Sequence, residues 1–230
     1  MTERWLTRLH DRASPPLVMG ILNLTPDSFS DGGRHLQKEA ALGQAALMVA
    51  EGAEIIDLGG ESTRPGALPV TPDEQCRRVI PTLIRLRELL PAEIALSIDT
   101  RSPLVARAAL NAGACIINDV SGGRDPAMLE LAAESGAALV LMHMQGEPST
   151  MQAAPHYTDV VAEVLEYLLA AADRAERAGL ARERILIDPG VGFGKTREHN
   201  LALLRELSRF VQSDYPVLLG TSRKRFMGAI

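Results

Sequence analysis

Three polar side chains stand at the ends of three short apolar runs of the sequence: Asp99, Asn118 and Asp188. A charged or amide group is costly to bury unless another group pairs with it. Carboxylates accept two neighbouring N–H donors at once, which suits the amino-pyrimidine edge of a heterocyclic ligand. Each residue taken alone could instead cap the helix that follows its strand. Together the three predict a pocket for a heterocycle that donates hydrogen bonds.

Positive charge occurs in two loop segments. Arg64 lies in a loop rich in Gly and Pro, and Arg223, Lys224 and Arg225 follow the last apolar run. Basic side chains and helix N-termini bind phosphates and carboxylates, and the hydroxyl of Ser222 adds a donor at the same place. The alternative is an ordinary solvated basic turn. These residues therefore predict an anion site.

The segment from Gly190 to Thr196 reads GVGFGKT, which at first sight is similar to a phosphate-binding P-loop. A P-loop needs a glycine four intervening residues before the Gly of its Gly-Lys pair, and Pro189 occupies that position. Nucleotide hydrolysis is therefore not expected. Gly190 and Gly192 instead predict a backbone that passes close under a flat ligand, with Phe193 as a wall.

The sequence contains few further motifs for metal binding or nucleophilic catalysis. Cys76 and Cys115 are far apart and form no C-x-x-C pair, so both are expected to be reduced thiols that pack in the interior. The sequence contains no H-E-x-x-H pattern, Cys/His cluster or nucleophile elbow. A tightly bound zinc is not expected, whereas Mg²⁺ recruited by a bound diphosphate needs only one or two protein oxygens.

Short apolar runs alternate with segments of helical periodicity along the whole chain. The runs are continuous and rich in Ile, Val and Leu, which is typical of parallel strands covered on both faces. The predicted strands are Leu17–Asn23, Ala53–Gly60, Ile94–Thr100, Cys115–Val120, Ala138–His143, Ile185–Gly190 and Pro216–Ser222. The predicted helices are Lys38–Glu51, Asp73–Leu90, Pro103–Asn111, Pro126–Ser135, Thr158–Ala178 and Glu198–Val211. The predicted helix caps are Thr71, in a capping box with Glu74, and Gly52, Gly113, Gly136 and Gly179.

Strict alternation of strands and helices predicts a parallel sheet, either an open doubly wound sheet or a (β/α)8 barrel. Nearly every predicted strand ends in a polar side chain, and a barrel gathers such groups from all strands around one mouth. No dinucleotide fingerprint follows the first strand. The sequence therefore favours one TIM-barrel domain over residues 1–230. Its long loops, residues 25–33 and 61–72, are expected to be functional.

The composition excludes several other classes of protein. With 24 Lys+Arg against 29 Asp+Glu the formal net charge is −5, and only 3% of residues are aromatic, so no nucleic-acid partner is expected. Apolar residues make up 46% of the chain and supply a full core. No apolar stretch approaches the roughly 18 residues that cross a bilayer. The N-terminal residues lack the apolar segment of a secretory signal, which predicts a cytoplasmic protein without a membrane partner.

Seven motifs, taken in order, resemble those of bacterial dihydropteroate synthases, from about the first predicted strand to the C-terminus. Their number and order make the resemblance specific. The motifs are GILNLTPDSFSDGG from Gly20, DLGGESTRPGA from Asp57, SIDT ending at Thr100, INDVSGG from Ile117, LMHMQG from Leu141, DPGVGFGKT from Asp188 and GTSRK from Gly220.

The resemblance implies a (β/α)8-barrel enzyme of folate biosynthesis. Members of the family join 4-aminobenzoate to 6-hydroxymethyl-7,8-dihydropterin diphosphate, forming 7,8-dihydropteroate and releasing diphosphate, with Mg²⁺ as cofactor. An aromatic amine is a weak nucleophile, so the rate must come from stabilising the departing diphosphate and the cationic pterin. The family further implies a homodimer and inhibition by sulfonamides.

Residue roles carry over from the family motif by motif. The implied pterin contacts are Asp99, Asn118, Asp188 and Lys224, with Met142 and Phe193 packed around them. The implied metal ligand is Asn23, and the implied diphosphate contacts are Thr63, Arg64 and Arg223. The implied 4-aminobenzoate pocket consists of Phe29, Pro65 and Ser222, while Asp31 closes over the substrates. The implied catalytic residues are Asp31, Arg64 and Lys224.

One departure from the family lies at the end of the chain. The eighth strand, with its Arg-x-His, has no counterpart after Lys224, so the C-terminal eighth strand and helix of the barrel are expected to be missing. Two alternatives stay open: a pterin-binding methyltransferase barrel, and a pterin-binding protein without turnover. The loops TPDSFSDGG and ESTRPGA argue against the methyltransferase, and diphosphate release from the two substrates discriminates all three.

Overall fold

The structure is a computed structural model that describes residues 4–25, 34–62, 67–147, 150–222 and 224. Two compact units divide the chain. Unit 1 comprises Met1–Ser62 and Pro69–Asn118, and unit 2 comprises Thr63–Leu68 and Asp119–Ile230. No helix in the described part combines the length with the apolar character that crossing a bilayer requires. The prediction of a single domain stays a prediction.

Unit 1 alternates helices with parallel strands. Its elements are α1 (Arg4–His10), β1 (Met19–Asn23), α2 (Arg34–Ala50), β2 (Ile55–Gly59), α3 (Pro72–Leu89), β3 (Ala95–Asp99), α4 (Pro103–Asn111) and β4 (Ile116–Asp119). Strand β1 pairs with β2, β2 with β3, and β3 with β4, each pair in parallel. Successive strands are therefore neighbours, which is the arrangement that right-handed β-α-β crossovers produce.

The elements of unit 1 follow from their residues. Every residue of β2 is buried, as expected for a parallel strand covered on both faces. Helix α3 begins after Thr71, whose hydroxyl oxygen accepts a hydrogen bond from the Glu74 amide at 3.4 Å. Pro72 occupies the first turn of α3, where its missing N–H costs nothing. The strand residues Ile56 and Leu58 and the helix residue Leu83 are fully buried in the core.

Unit 2 continues the same alternation. Its elements are α5 (Pro126–Ser135), β5 (Ala138–Met142), α6 (Val160–Arg177), β6 (Ile185–Asp188), α7 (Arg197–Arg205) and α8 (Leu207–Val211). Strands β5 and β6 pair in parallel. Asp125 caps α5 and Asp159 caps α6, each by accepting backbone N–H bonds in the first helical turn. Gly136 ends α5 with φ of 66°, a left-handed conformation that favours glycine.

Most predicted elements are confirmed, and the differences have local causes. The seventh predicted strand forms only one parallel bridge in the described part, between Val217 and Ile187, rather than a full ladder. The predicted helix Glu198–Val211 is divided at Glu206, whose φ of −99° and ψ of 20° interrupt the helical backbone. Helix α1 has no counterpart among the predicted helices, because seven residues with one buried side chain, Trp5, carry little periodicity.

Candidate active site

The last residues of the four strands of unit 1 form one row. In the parallel register Asn23 lies opposite Gly59, Gly59 opposite Asp99, and Asp99 opposite Asn118. Residues in register on neighbouring parallel strands present their side chains to the same face of the sheet. The predicted acceptors Asp99 and Asn118 and the predicted metal ligand Asn23 therefore share one face at the carboxyl end of the strands.

Gly59 leaves room for an oxygen pair in this row. A Cβ atom at Gly59 would lie 3.3 Å from the Asn23 Oδ1 atom and 3.6 Å from the Asp99 Oδ2 atom. The side-chain oxygens of Asn23 and Asp99 thus flank the same point above the glycine. A Cβ at position 59 would be tight against the Asn23 oxygen and in ordinary van der Waals contact with the Asp99 oxygen.

Asp57 supports Asn118 from within the sheet. The Asn118 Nδ2 atom donates a hydrogen bond of 2.9 Å to the Asp57 Oδ2 atom, and both side chains are buried. This bond uses the amide nitrogen of Asn118 and directs its amide oxygen away from Asp57. Burial raises the pKa of Asp57, while the neighbouring Ser97 hydroxyl and Asn118 amide oppose the rise. Asp57 therefore fixes the orientation of the Asn118 amide.

Glu61 organises the start of the long loop that follows β2. Its Oε1 atom accepts a hydrogen bond of 2.8 Å from the Val70 amide, and its Oε2 atom lies 3.4 Å from the Arg101 guanidinium. Thr100, just after β3, donates to the Gln75 side chain at 3.0 Å. The Gln75 Nε2 atom in turn donates to the Val70 carbonyl at 3.0 Å, so Glu61 and Gln75 together hold the Val70 backbone.

In unit 2 the side chain of Asp188 lies buried at the end of β6. Its Oδ1 atom accepts a hydrogen bond of 2.7 Å from the Gly190 amide, and its carbonyl accepts one of 2.9 Å from the His143 amide. Burial raises the pKa of Asp188 to about 6, although the Gly190 N–H and the charges of Lys224 and Lys195 oppose the rise. At pH 7 the group is a mostly ionised carboxylate, which has a free energy cost in this setting.

Lys195 is a second buried charged group in the same loop. Its Nζ atom lies 3.0 Å from the Gly190 carbonyl, 2.9 Å from the Phe193 carbonyl, and 3.0 Å from the His143 Nδ1 atom. Burial lowers the pKa of Lys195 to about 7, with the Asp188 charge opposing and the Lys224 charge adding. Burial, followed by the charge of Lys195, lowers the pKa of His143 to about 3, so its ring is neutral near pH 7.

An aromatic and a cationic side chain complete this part of unit 2. The Lys224 Nζ atom lies 4.1 Å from the centre of the Phe193 ring, within the range of a cation–π contact. Phe193 packs against an apolar cluster formed by Val120, Met142, Met144 and Met151. Burial lowers the pKa of Lys224, and the Asp188 carboxylate opposes this shift. A flat ring, a carboxylate acceptor and an ammonium donor are thus available to a planar ligand.

The structure brings together part of each predicted set. In unit 1 it places Asn23, Asp99 and Asn118 in one row, and in unit 2 it associates Met142, Asp188, Phe193 and Lys224. Ser222 is exposed in a turn, and no described contact ties it to these groups. The predicted residues that lie outside the described part are Phe29, Asp31, Thr63, Arg64, Pro65 and Arg223.

Sequence reasoning misses two buried residues, Asp57 and Lys195, that hold predicted site residues or their loop in place. Asp57 is recognisable as a strand-end carboxylate but receives no role, although its spacing of two residues from Gly59 places it on the row's face. Lys195 enters only as part of a rejected P-loop. The burial of Lys195 cannot be inferred from the sequence, because one of its partners, His143, lies 52 residues away and the others are backbone carbonyls.

Replacing Gly190 by alanine is expected to destabilise the fold more than the same replacement at Gly136, which has the same φ. Both Gly190 and Gly136 have φ of 66°, but a Cβ at Gly190 would lie 1.9 Å from the His143 carbonyl oxygen, whereas Gly136 has nothing within 4 Å. Gly136→Ala should lower the free energy of unfolding by about 1 to 2 kcal/mol. Gly190→Ala should cost about 1 to 3 kcal/mol more, from overpacking. Urea unfolding measures both variants, and equal losses would contradict the close approach at Gly190.

Comparisons with known proteins place this geometry in a family. Residues 19–230 match the family model described as pterin binding enzyme. The chain is 50% identical over 217 residues to the dihydropteroate synthase of Escherichia coli strain K12, a match that covers 94% of this chain and 76% of that protein. It is 51% identical over 219 residues to the dihydropteroate synthase of Mycobacterium leprae strain TN, with 94% and 76% covered.

Solved structures agree with the sequence matches. The dihydropteroate synthase of Xanthomonas albilineans with 4-aminobenzoic acid superposes with a TM-score of 0.87 at 49% identity, covering 96% of this chain and 77% of that one. The same synthase in complex with 7,8-dihydropteroate gives a TM-score of 0.82 at 45% identity, with 96% and 76% covered.

These matches first define the class, a pterin-binding enzyme with a parallel α/β fold of the TIM-barrel type. Within that class the chain belongs to the dihydropteroate synthase family, the transferases that make dihydropteroate in folate biosynthesis. The fold class and the family resemblance predicted from the seven motifs are confirmed.

Proposed function

We propose that Asp188, with Lys224 and Phe193 beside it, holds the pterin while 4-aminobenzoate displaces diphosphate from the pterin methylene carbon. One C–N bond forms, one C–O bond breaks, and the amine proton leaves to solvent. The buried carboxylate of Asp188 carries this proposal, because it is an acceptor kept at the end of an apolar strand despite its cost. The family's solved members with 4-aminobenzoic acid and with 7,8-dihydropteroate support the substrate classes.

The pterin edge presents adjacent N–H donors, which carboxylate and amide oxygens can accept. One oxygen of Asp188 is held by the Gly190 amide, which fixes the rotamer of the carboxylate. The amide oxygen of Asn118 is directed by Asp57, and Asp99 adds a carboxylate to the same row in unit 1. Hydrogen bonds from a neutral donor to a carboxylate are about twice as strong as neutral pairs. Following the family resemblance, we propose Asp99, Asn118, Asp188 and Lys224 as pterin contacts.

Pterin affinity is expected to depend on pH through Asp188. Only the ionised carboxylate of Asp188 can accept hydrogen bonds from two adjacent N–H groups of the pterin. The pKa of Asp188 is raised to about 6. Pterin affinity should therefore fall about tenfold for each pH unit well below pH 6, as Asp188 becomes protonated. Titration of pterin fluorescence between about pH 4.5 and about pH 8 measures the profile. A profile that remains flat through pH 6 would contradict the role of Asp188.

Mg²⁺ fits the oxygens at the end of β1 and β3. Among the described residues no group of three or more His, Cys, Asp or Glu side chains could hold a metal, so a protein-only cage is not supported. A Mg²⁺ ion that arrives with a diphosphate needs only one or two hard oxygen ligands, and Asn23 Oδ1 beside Asp99 Oδ2 offers these above Gly59. Asn23 would hold the ion. When bound, the ion neutralises charge on the departing diphosphate.

Replacing Asn23 should change the demand for Mg²⁺. Asn23→Leu removes the amide oxygen from the row, and the Mg²⁺ concentration for half-maximal turnover should rise at least about tenfold. Asn111→Leu, at the end of α4, is the matched control and should leave the Mg²⁺ dependence unchanged. Equal Mg²⁺ dependence of the Asn23 variant and the unaltered protein would remove Asn23 from the metal site.

The remaining roles rest on the family resemblance. We propose Phe29, Pro65 and Ser222 for the 4-aminobenzoate pocket, Thr63, Arg64 and Arg223 for the diphosphate, and Asp31 for closure over the substrates. We also propose that the protein is cytoplasmic and forms a homodimer. Sedimentation equilibrium tests the homodimer by measuring its molar mass.

Diphosphate release tests the proposed function. The protein is supplied with 6-hydroxymethyl-7,8-dihydropterin diphosphate, Mg²⁺ and 4-aminobenzoate, and released diphosphate is coupled to a phosphate assay. Release that depends on 4-aminobenzoate and matches the dihydropteroate formed is the expected result. Pterin binding without release would favour a binding protein, and methyl transfer without release would favour the methyltransferase alternative.

A further inference from the structure

The lysine of the GFGKT segment has no role in the function described above. Lys195 is only 3% exposed, and its Nζ atom contacts the carbonyls of Gly190 and Phe193 and the ring of His143. It thus places an ammonium group among buried polar atoms, where an unneeded charge would be costly. The contacts of the Lys195 ammonium group indicate what it stabilises.

The ammonium group ties the loop after β6 to the end of β5. It donates to the carbonyls of Gly190 and Phe193, at 3.0 and 2.9 Å, from the loop side. From the β5 side it contacts the Nδ1 atom of His143 at 3.0 Å and the His143 carbonyl at 3.3 Å. The loop carbonyls can converge on one point because Gly190 and Gly192 both have positive φ.

Each residue that Lys195 holds in this loop is linked directly to a pterin contact. The carbonyl of Gly190 accepts from Lys195, while the amide of Gly190 donates to the Asp188 carboxylate at 2.7 Å. The carbonyl of Phe193 accepts from Lys195, while its ring lies under the Lys224 ammonium. Movement of either carbonyl would therefore move a group that touches the pterin.

We propose that Lys195 is a positioning residue for the pterin pocket, fixing the Gly190 and Phe193 backbone so that Asp188 and the Phe193 ring stand ready for the pterin. This inference rests on the proposed function. Pre-organisation of this kind acts on pterin affinity, because the cost of ordering the loop is met before the ligand binds. The Lys195 ammonium also supplies three N–H donors, more than any neutral side chain of similar length.

A purely structural role for Lys195 makes a different forecast. Loss of folded protein lowers kcat in proportion to the active fraction and leaves both KM values unchanged. Loss of positioning raises the KM for the pterin diphosphate and leaves the KM for 4-aminobenzoate nearly unchanged. The split between the two KM values therefore separates the roles.

The test uses Lys195→Met and Lys195→Gln, which keep most of the length of the side chain and remove the ammonium. Lys38→Met, in α2, is the matched control for the same chemical change outside the loop. Each protein is titrated with 6-hydroxymethylpterin, followed by pterin fluorescence, and its two KM values are measured. Thermal melting confirms that each variant is folded.

The expected result is a rise of about tenfold to 100-fold in both the Kd for 6-hydroxymethylpterin and the KM for the pterin diphosphate, in folded Lys195 variants. The KM for 4-aminobenzoate should stay within about twofold, and Lys38→Met should match the unaltered protein. Unchanged pterin affinity in either folded variant, or failure of both to fold, would overturn the positioning role. Absence of pterin binding by the unaltered protein would instead contradict the proposed function.

Discussion

Asp188→Asn is expected to weaken pterin binding about 100-fold while making the folded protein more stable. The amide keeps the shape of the carboxylate and can still accept the Gly190 N–H bond of 2.7 Å. It replaces one acceptor oxygen by an N–H donor, so one of the proposed hydrogen bonds to the pterin is lost and two donors face each other. Each unmade buried hydrogen bond costs about 1 to 3 kcal/mol, and about 2.7 kcal/mol corresponds to a 100-fold change in Kd.

The gain in stability follows from the pKa of Asp188. Its pKa in the folded protein is about 6, above the 3.8 of a free aspartate. A raised pKa means that the ionised form is disfavoured on folding, so the free energy of unfolding falls as the pH rises from about 4 to about 6. Above pH 6 the full penalty is present, on the order of 3 kcal/mol. The uncharged amide of the Asp188→Asn variant escapes this penalty.

Both parts of the prediction are measurable on the same protein. Calorimetric titration with 6-hydroxymethylpterin gives the Kd, and urea unfolding at pH 7 gives the stability. Asp173→Asn, on the exposed side of α6, is the matched control and should change neither quantity by a comparable amount. Unchanged pterin affinity in Asp188→Asn would remove Asp188 from the pocket, and a less stable variant would contradict the cost of its charge.

Asn118→Leu is expected to have the largest effect in unit 1, because it damages both the pocket and the fold. It removes the amide oxygen that we propose as a pterin acceptor and the Nδ2 donor that pairs with Asp57 at 2.9 Å. Asp57 is left as a buried carboxylate that has lost this partner, which costs about 3 kcal/mol. Pterin affinity should fall at least about tenfold from the lost contact.

A second substitution separates the two effects of Asn118→Leu. In Asp57→Leu/Asn118→Leu the buried carboxylate is gone, so most of the lost stability should return. Pterin affinity should stay low, since the amide of Asn118 is still absent. Recovery of pterin affinity together with stability would contradict the assignment of Asn118 as a pterin contact, and recovery of neither would contradict its pairing with Asp57.

The sequence is informative about elements and weak about the groups that support the site. Continuous apolar runs predict the six strands, and the helices Pro103–Asn111 and Pro126–Ser135 are predicted with the bounds that the structure gives. Such runs show where a strand ends, and hence which polar residues stand at its carboxyl end. The pairing of residues on different strands depends on register, which no local pattern contains. The contacts of Asn118 with Asp57 and of Lys195 with His143 join distant parts of the chain and therefore emerge only from the structure.

Buried charge is the common feature of the residues that sequence reasoning undervalues. Asp57 is buried in β2, Asp188 is buried at the end of β6, and Lys195 is buried in the loop after β6. Burial shifts the pKa of each group in the direction that favours its neutral form. A chain selected for stability alone would replace such groups with apolar residues. Buried charged groups of this kind cluster at functional sites. Their position therefore favours a binding site at the carboxyl end of the strands in each unit.

The ionisation of Asp188 in the bound state is the central claim, and difference infrared spectroscopy tests it most directly. Spectra of the protein at pH 7 are recorded with and without 6-hydroxymethylpterin, for the unaltered chain and for Asp188→Asn. We expect a shift of the carboxylate stretching bands on pterin binding that is absent in the variant. A protonated carboxyl band in the complex, or the same carboxylate shift in both proteins, would contradict the claim.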